Sequence, residues 1–178
     1  IPNKLIKSIS DFEGVEKLIL PGVGSFDAVV RKLNESGLIE RLSELVLKEK
    51  VPVLGICVGL QIMAKSSEEG TLLGLGWINA TVKKFNLPGE FYVPHMGWNN
   101  VAAATGSQMF SGVEQERFYF VHSYATRKWE LDPHEMLAAP KVSWANHGED
   151  FVAAVENGPL WATQFHPEKS GEAGLTLL

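Results

Sequence analysis

Val51-Pro52-Val53-Leu54-Gly55-Ile56-Cys57-Val58-Gly59-Leu60-Gln61 fits a strand, a turn and the start of a helix into eleven residues. Val53 to Ile56 is a short apolar run of buried-strand character. Leu60, Met63 and Ala64 give one apolar face to a helix expected from Gly59 to about Lys65. Cys57 stands between the two, flanked by Gly55 and Gly59. A sharp strand-to-helix turn needs small residues on each side, and such a turn lifts a side chain out of the sheet as a nucleophile. It also sets the thiol at a helix N-terminus, which favours the thiolate, and points the Val58 N–H at any oxyanion formed there. A lone cysteine in an apolar run also fits a small core residue. The paired glycines weigh against that, because a plain core strand has no use for them.

Upstream, Glu16 to Pro21 holds Leu18-Ile19-Leu20, a second buried strand stopped by Pro-Gly. Residues Phe26 to Lys50 predict two amphipathic helices broken near Ser36-Gly37. Strand, helix, strand, helix is the pattern of a parallel sheet with helices on both faces. Downstream, Trp77–Phe85, Glu90–Pro94, Phe118–Tyr124, Val142–Trp144, Phe151–Glu156 and Leu160–Phe165 read as short strands of antiparallel hairpins. Glu172–Leu178 starts a helix again. No repeat, low-complexity segment or linker divides the chain, so residues 1–178 form one domain.

Composition narrows the function. A net charge of −5 gives no general attraction for nucleic acid or anionic membrane. The sequence has no apolar run long enough for a membrane span. The N-terminus carries no signal-peptide pattern, and a single cysteine suits a reducing, cytoplasmic setting.

A cysteine nucleophile needs a base and a group to orient that base. Of five histidines, His166 in Gln164-Phe165-His166-Pro167-Glu168-Lys169 is the best placed. If Pro167 keeps the backbone extended, His166 and Glu168 share a side, carboxylate beside imidazole. An incidental ion pair on an exposed turn is the other reading. His134, in Asp132-Pro133-His134-Glu135, reads as a solvated loop residue, and His147 as part of a turn. One cysteine and no histidine pair at i, i+4 make a metal site a poor fit. Pro21-Gly22-Val23-Gly24-Ser25 follows a strand but lacks the Lys and glycine spacing of a phosphate loop. Its glycines fit either a tight turn or backbone N–H groups exposed beside a site.

Together these segments resemble the class I, triad-type glutamine amidotransferases. The elbow of that family is similar to Gly55-Ile56-Cys57-Val58-Gly59-Leu60-Gln61, and its distal motif to His166-Pro167-Glu168. Four more segments resemble the glutaminase subunits of imidazole glycerol phosphate synthases: Pro21–Phe26, Pro94-His95-Met96-Gly97-Trp98-Asn99, Phe118–Tyr124 and Gln164–Ser170. The resemblance implies a flavodoxin-like three-layer αβα sandwich with a mostly parallel central sheet, and no cofactor. It implies Cys57 as nucleophile, His166 as acid and base, and Glu168 as its orienting group. Val58, Gly59 and the Gly22-Val23-Gly24 loop would surround the oxyanion, and Gln61, Ser123 and Tyr124 would hold glutamine. Ser123 and Tyr124 otherwise read as an ordinary strand end.

The resemblance also implies a partner: a cyclase subunit of (β/α)8 type, in a heterodimer, taking up ammonia for histidine biosynthesis. Met96, Trp98, Tyr119 and Lys169 match interface positions, and an exposed Trp-Met pair suits an anchor. Trp98 fits the chain's own core equally well by type. The family's first strand and its following turn have no counterpart before Ile1, and the last helix is short. Both ends are therefore expected to be truncated, leaving an unpaired sheet edge. The rival functions are the glutaminase of another triad synthase, of anthranilate or GMP synthase type, a non-catalytic scaffold, and a thiol peptidase on the same elbow.

Overall fold

Strand β1 (Leu18–Gly22) lies parallel to β2 (Val53–Cys57), with Gly22 opposite Cys57. The computed structural model describes residues 3–113, 117–129 and 139–178. Between β1 and β2 run α1 (Phe26–Ser36) and α2 (Ile39–Ser43), the latter continuing as a π-helical turn over Glu44–Lys48. The expected break falls at Gly37, whose φ of 68° ends α1 in the left-handed region. The helix after Cys57, α3 (Val58–Gln61), is shorter than its apolar face predicts. Ile62, Met63 and Ala64 are all fully buried, and their carbonyls accept the N–H groups of Leu75, Ile78 and Gly76 in place of further helical bonds. The chain instead turns toward β3 (Ser66–Ser67) and β4 (Thr81–Lys84).

The second half is built of hairpins. Strands β5 (His95–Asn100) and β6 (Arg117–His122) form a two-stranded ribbon. Strand β7 (Tyr124–Thr126) pairs with β4, so the run expected as one strand breaks at Ser123 and serves two sheets. Strands β8 (Lys141–Asn146), β9 (Asp150–Asn157) and β10 (Leu160–Thr163) complete the main sheet in the order β1-β2-β10-β9-β8. The pairs β1–β2 and β2–β10 are parallel; β10–β9 and β9–β8 are antiparallel. The sheet is thus mixed, parallel on the side that carries Cys57. Helix α4 (Gly171–Leu177) closes the described chain.

Two sequence expectations shift. Glu90–Pro94 is a turn, and the strand begins at His95, just past a proline that has no N–H to donate. Only Thr81–Lys84 of Trp77–Phe85 is strand. His134 lies outside the described residues.

The sheet is packed on both faces. Val53, Val155 and Leu160 join Leu42, Leu45, Val46 and Met63 on one side. Phe151 and Ala153 join Phe118, Phe120 and Phe165 on the other, where the ribbon lies. Phe26, Val30, Ile56 and Ile62 form a third cluster around Cys57. Each fully buried Leu, Val or Phe contributes about 1.5–3 kcal/mol, so the strand ending in Cys57 is held from both sides. The result is the three-layer α/β sandwich expected of the family. Strand β1 stands at the sheet edge among the described residues. No helix is long and apolar enough to cross a membrane, and no three His, Cys, Asp or Glu side chains converge to hold a metal ion, among the described residues.

Candidate active site

Cys57 ends β2 and caps α3 with φ 55° and ψ −109°, a conformation that non-glycine residues rarely adopt. Close backbone packing enforces it. A Cβ on Gly59 would stand 1.8 Å from the Leu20 carbonyl oxygen, and one on Gly22 would stand 2.5 Å from the Gly59 nitrogen. The first turn of α3 therefore rests directly on β1, and glycine alone fits at that contact. Met63 and the Gly59 carbonyl crowd Gly55 in the same way.

A pocket of about 340 Å³ opens beside the thiol. Val23, Gly24, Cys57, Val58, Gln61, Ser123, Tyr124, His166 and Lys169 line it, as do Glu69, Val121 and His122. The sequence-named glutamine and oxyanion positions thus converge on one cavity, except Gly22 and Gly59, which pack behind it. Gly24 takes φ 101°, a conformation that favours glycine, with open space where a Cβ would stand.

His166 is 98% shielded from solvent, and its Nδ1 lies 2.7 Å from Glu168 Oε1. A carboxylate only accepts, so Nδ1 carries the proton and the Nε2 lone pair is left as the base. The backbone route differs from expectation. His166 is extended, but Pro167 opens a 3-10 turn over Pro167–Lys169, and Glu168 reaches back from within it. The His166 N–H donates to Tyr119 O at 2.9 Å, and the Ser170 hydroxyl donates to His166 O at 2.6 Å, which fixes the turn.

The thiol is not the ready thiolate that a helix N-terminus suggests. Burial pushes its pKa up to about 11, the Val58 N–H pulls it down, Glu168 and Glu69 add to the rise, and Lys169 opposes them. The four residues of α3 carry too little dipole to win. Burial thus favours the neutral thiol, and a nucleophilic role for it would call on a neighbouring base to take the proton.

Two residues near Cys57, one buried beside the thiol and one in the pocket lining, carry no role on sequence alone. Gln164 is fully buried and points its Nε2 at Cys57 Sγ, 3.7 Å away, while its Oε1 accepts from Gln61 Nε2 at 3.1 Å. Glu69 lines the pocket and accepts the Phe26 N–H at 2.8 Å, capping α1 where Ser25 makes no side-chain cap. The sequence shows Gln164 only as part of the His166 segment, and nothing local marks Glu69.

The expected partner residues divide. Met96 and Trp98 are 63% and 49% exposed, which removes Trp98 from the core. Trp98 stands opposite Tyr119 and Met96 opposite Val121 on the outer face of the ribbon. Lys169 lies in the pocket lining instead.

An α/β sandwich thus brings the Cys57 turn and the paired His166 and Glu168 to one pocket. The class I glutamine amidotransferase family matches residues 3–177, and the chain belongs to it. More narrowly, the chain is 47% identical to imidazole glycerol phosphate synthase subunit HisH of Bdellovibrio bacteriovorus, over 100% of this chain and 86% of that one. The protein of the same name from Leptospira borgpetersenii is 43% identical, over 99% and 85%. That from Leifsonia xyli is 52% identical, over 90% and 76%. Among solved structures, a glutamine amidotransferase superposes with a TM-score of 0.68 at 20% identity, covering 99% of this chain and 83% of that one. The glutaminase domain of Trypanosoma brucei CTPS with bound acivicin gives 0.56 at 15% identity, covering 95% and 72%. At those identities the likeness speaks for the fold.

Proposed function

We propose that this chain is the glutaminase subunit of an imidazole glycerol phosphate synthase, hydrolysing glutamine to glutamate and ammonia for a cyclase subunit in histidine biosynthesis. The observation that carries this reading is the convergence of Cys57, the His166–Glu168 pair and Gln61 on one pocket, in a chain so close to subunits of that name.

Cys57 Sγ attacks the carboxamide carbon of glutamine as its proton passes to His166 Nε2. The tetrahedral oxyanion is held by the Val58 N–H and by the Val23-Gly24 peptide once it turns inward. His166 returns the proton to the departing nitrogen, and ammonia leaves behind a thioester. A water then attacks the thioester carbon while His166 takes its proton. Collapse releases glutamate and restores the thiol. Glu168 keeps His166 in the useful tautomer and stabilises its cation. Glu69 supplies a carboxylate for the α-ammonium of glutamine, and Gln61, Ser123 and Tyr124 border the rest of the substrate.

The partner belongs on the outer face of the ribbon. Met96, Trp98 and Tyr119 are presented there, and Val121 carries that face to the pocket mouth. A (β/α)8 cyclase seated on it, in a cytoplasmic heterodimer, would cover the exit through which ammonia leaves. Residues 1–178 act in this reading as one amidotransferase domain.

The test is glutamine hydrolysis with and without the cyclase and its ligand, for wild type and Cys57→Ala. Loss of all activity in the variant and stimulation of the wild type by the cyclase are expected. Undiminished activity in the variant would refute the triad. Co-purification with an anthranilate-type or GMP-type synthase would move the chain to another branch of the family.

A further inference from the structure

Behind the pocket wall lies a buried group of rings. His95 is stacked between His147, 4.2 Å away between centroids, and Phe120, 4.9 Å away. His122 packs against Phe85 and Phe151. Such surroundings would suit phenylalanine at both positions, yet every nitrogen of the two imidazoles has a polar neighbour. His122 Nδ1 lies 2.9 Å from Tyr124 O, and His122 Nε2 lies 3.1 Å from His95 Nδ1. His95 Nε2 lies 3.2 Å from Asn99 Nδ2.

The direction of these bonds follows from one end. A carbonyl oxygen only accepts, so His122 carries its proton on Nδ1. Its neutral ring then accepts at Nε2, and His95 must donate from Nδ1. His95 in turn accepts at Nε2 from Asn99, whose Nδ2 also donates to Asn146 O at 2.8 Å. Asn99 Oδ1 accepts the Asn100 N–H at 2.8 Å, which fixes the orientation of the amide. A charged imidazole at either place would set two N–H groups against each other. Burial pushes both rings toward neutrality, His122 to about 3 and His95 to about 4, and the histidines around them add to it.

The far end of this chain is the active site. Tyr124 O also accepts from Gln61 Nε2 at 2.9 Å, and Gln61 leads to Gln164 and Cys57 Sγ. Both ring nitrogens of His122 are engaged, so although it borders the pocket it acts through the Tyr124 carbonyl. We propose that Asn99, His95 and His122 are positioning residues of the glutaminase site, a one-way hydrogen-bond chain that fixes the Tyr124 carbonyl and, through Gln61 and Gln164, the pocket wall beside Cys57. This rests on the glutaminase reading. Asn99 adjoins Trp98, so the chain starts at the strand that bears the exposed anchor.

Two measurements test it. In ¹⁵N NMR of histidine-labelled protein near neutral pH, His95 and His122 should both appear neutral and protonated at Nδ1. An Nε2–H tautomer or a cation at either position overturns the proposal. In steady-state assays of the complex with its cyclase, His122→Phe should raise KM for glutamine about tenfold, the loss expected for a hydrogen bond, while kcat changes about threefold or less. His122→Asn keeps a donor where Nδ1 stood and should bring KM back to within about threefold. His122→Gln, whose amide reaches the place of Nε2, should not. An unchanged KM in His122→Phe, or equal behaviour of Asn and Gln, overturns the proposal. Should His122→Phe fail to fold, the Asn–Gln comparison and the wild-type spectrum still decide. Absence of glutaminase activity in the wild type would instead sink the glutaminase reading, and the spectrum would judge the hydrogen-bond chain separately.

Discussion

The two walls of the pocket are positioned by different physics. On the Cys57 side, backbone rests on backbone: α3 touches β1 through Gly59 and Gly22, with only the Val58 Cβ beside the main-chain atoms. At the Tyr124 carbonyl, position is instead set by directed bonds from His122 and Gln61 inside an aromatic shell. Steric contact is steep and tolerates no added atom, so it suits a nucleophile held at an unfavourable φ. A hydrogen-bond chain is softer and can be reset from its far end, which suits a wall that shapes itself to substrate.

That contrast can be broken most sharply at Gly59. Gly59→Ala should abolish glutamine hydrolysis and cost about 3 kcal/mol of stability in a denaturant titration, since its methyl cannot avoid Leu20 O. Wild-type stability in this variant would mean that the elbow yields as readily as the other wall. Next in size, Glu168→Gln should lower kcat about a hundredfold with little change in KM, because a neutral amide cannot stabilise the His166 cation and can turn its NH2 toward Nδ1, favouring the wrong tautomer. An equal fall in glutamine affinity would show that Glu168 shapes the pocket rather than the base.

The hydrogen-bonded wall has an acid-side pH signature, whereas the raised Cys57 thiol acts only in the alkaline range. His95 and His122 have folded-state pKa values of about 4 and about 3, below the ordinary histidine value of 6.5. The unfolded chain therefore binds more protons across that interval, and stability is lost as pH falls from about 6.5 toward 4. Melting temperature should drop through this window, and His95→Phe or His122→Phe should flatten the drop. An unchanged slope in both would place the acid sensitivity in other groups; Asp27, whose pKa the Thr71 and Leu72 N–H groups hold below 3.8, contributes only at the acid side of this window. The smallest effect is expected for Trp98→Ala: within about 0.5 kcal/mol on the chain alone, because half of the ring already faces solvent. Its cost should fall on partner affinity.

The elbow was legible in sequence because its requirements are local. Gly55, Cys57 and Gly59 stand within five residues, and the glycine pattern states the steric problem directly. His166 and Glu168 were legible for the same reason, although a 3-10 turn, not an extended backbone, brings them together. The polar wall was not. His95 and His122 meet through the β5–β6 register, and Glu69 meets Phe26 across 43 residues. Neither contact leaves a local pattern. The short α3 was not legible because Leu60, Met63 and Ala64 stand at helical spacing, while the carbonyls that would extend the ladder are taken by Leu75, Gly76 and Ile78, a contact with no local pattern.

Glu69 has a further consequence for what the enzyme will accept. The carboxylate that caps α1 also borders the cavity, with the Lys169 ammonium in the same lining. A cleft bearing one charge of each sign is matched to a zwitterion. Simple aliphatic amides carry the scissile bond but nothing to meet those charges. On the proposed glutaminase reading, the carboxylate that anchors a helix would therefore also sort amino-acid substrates from simple amides.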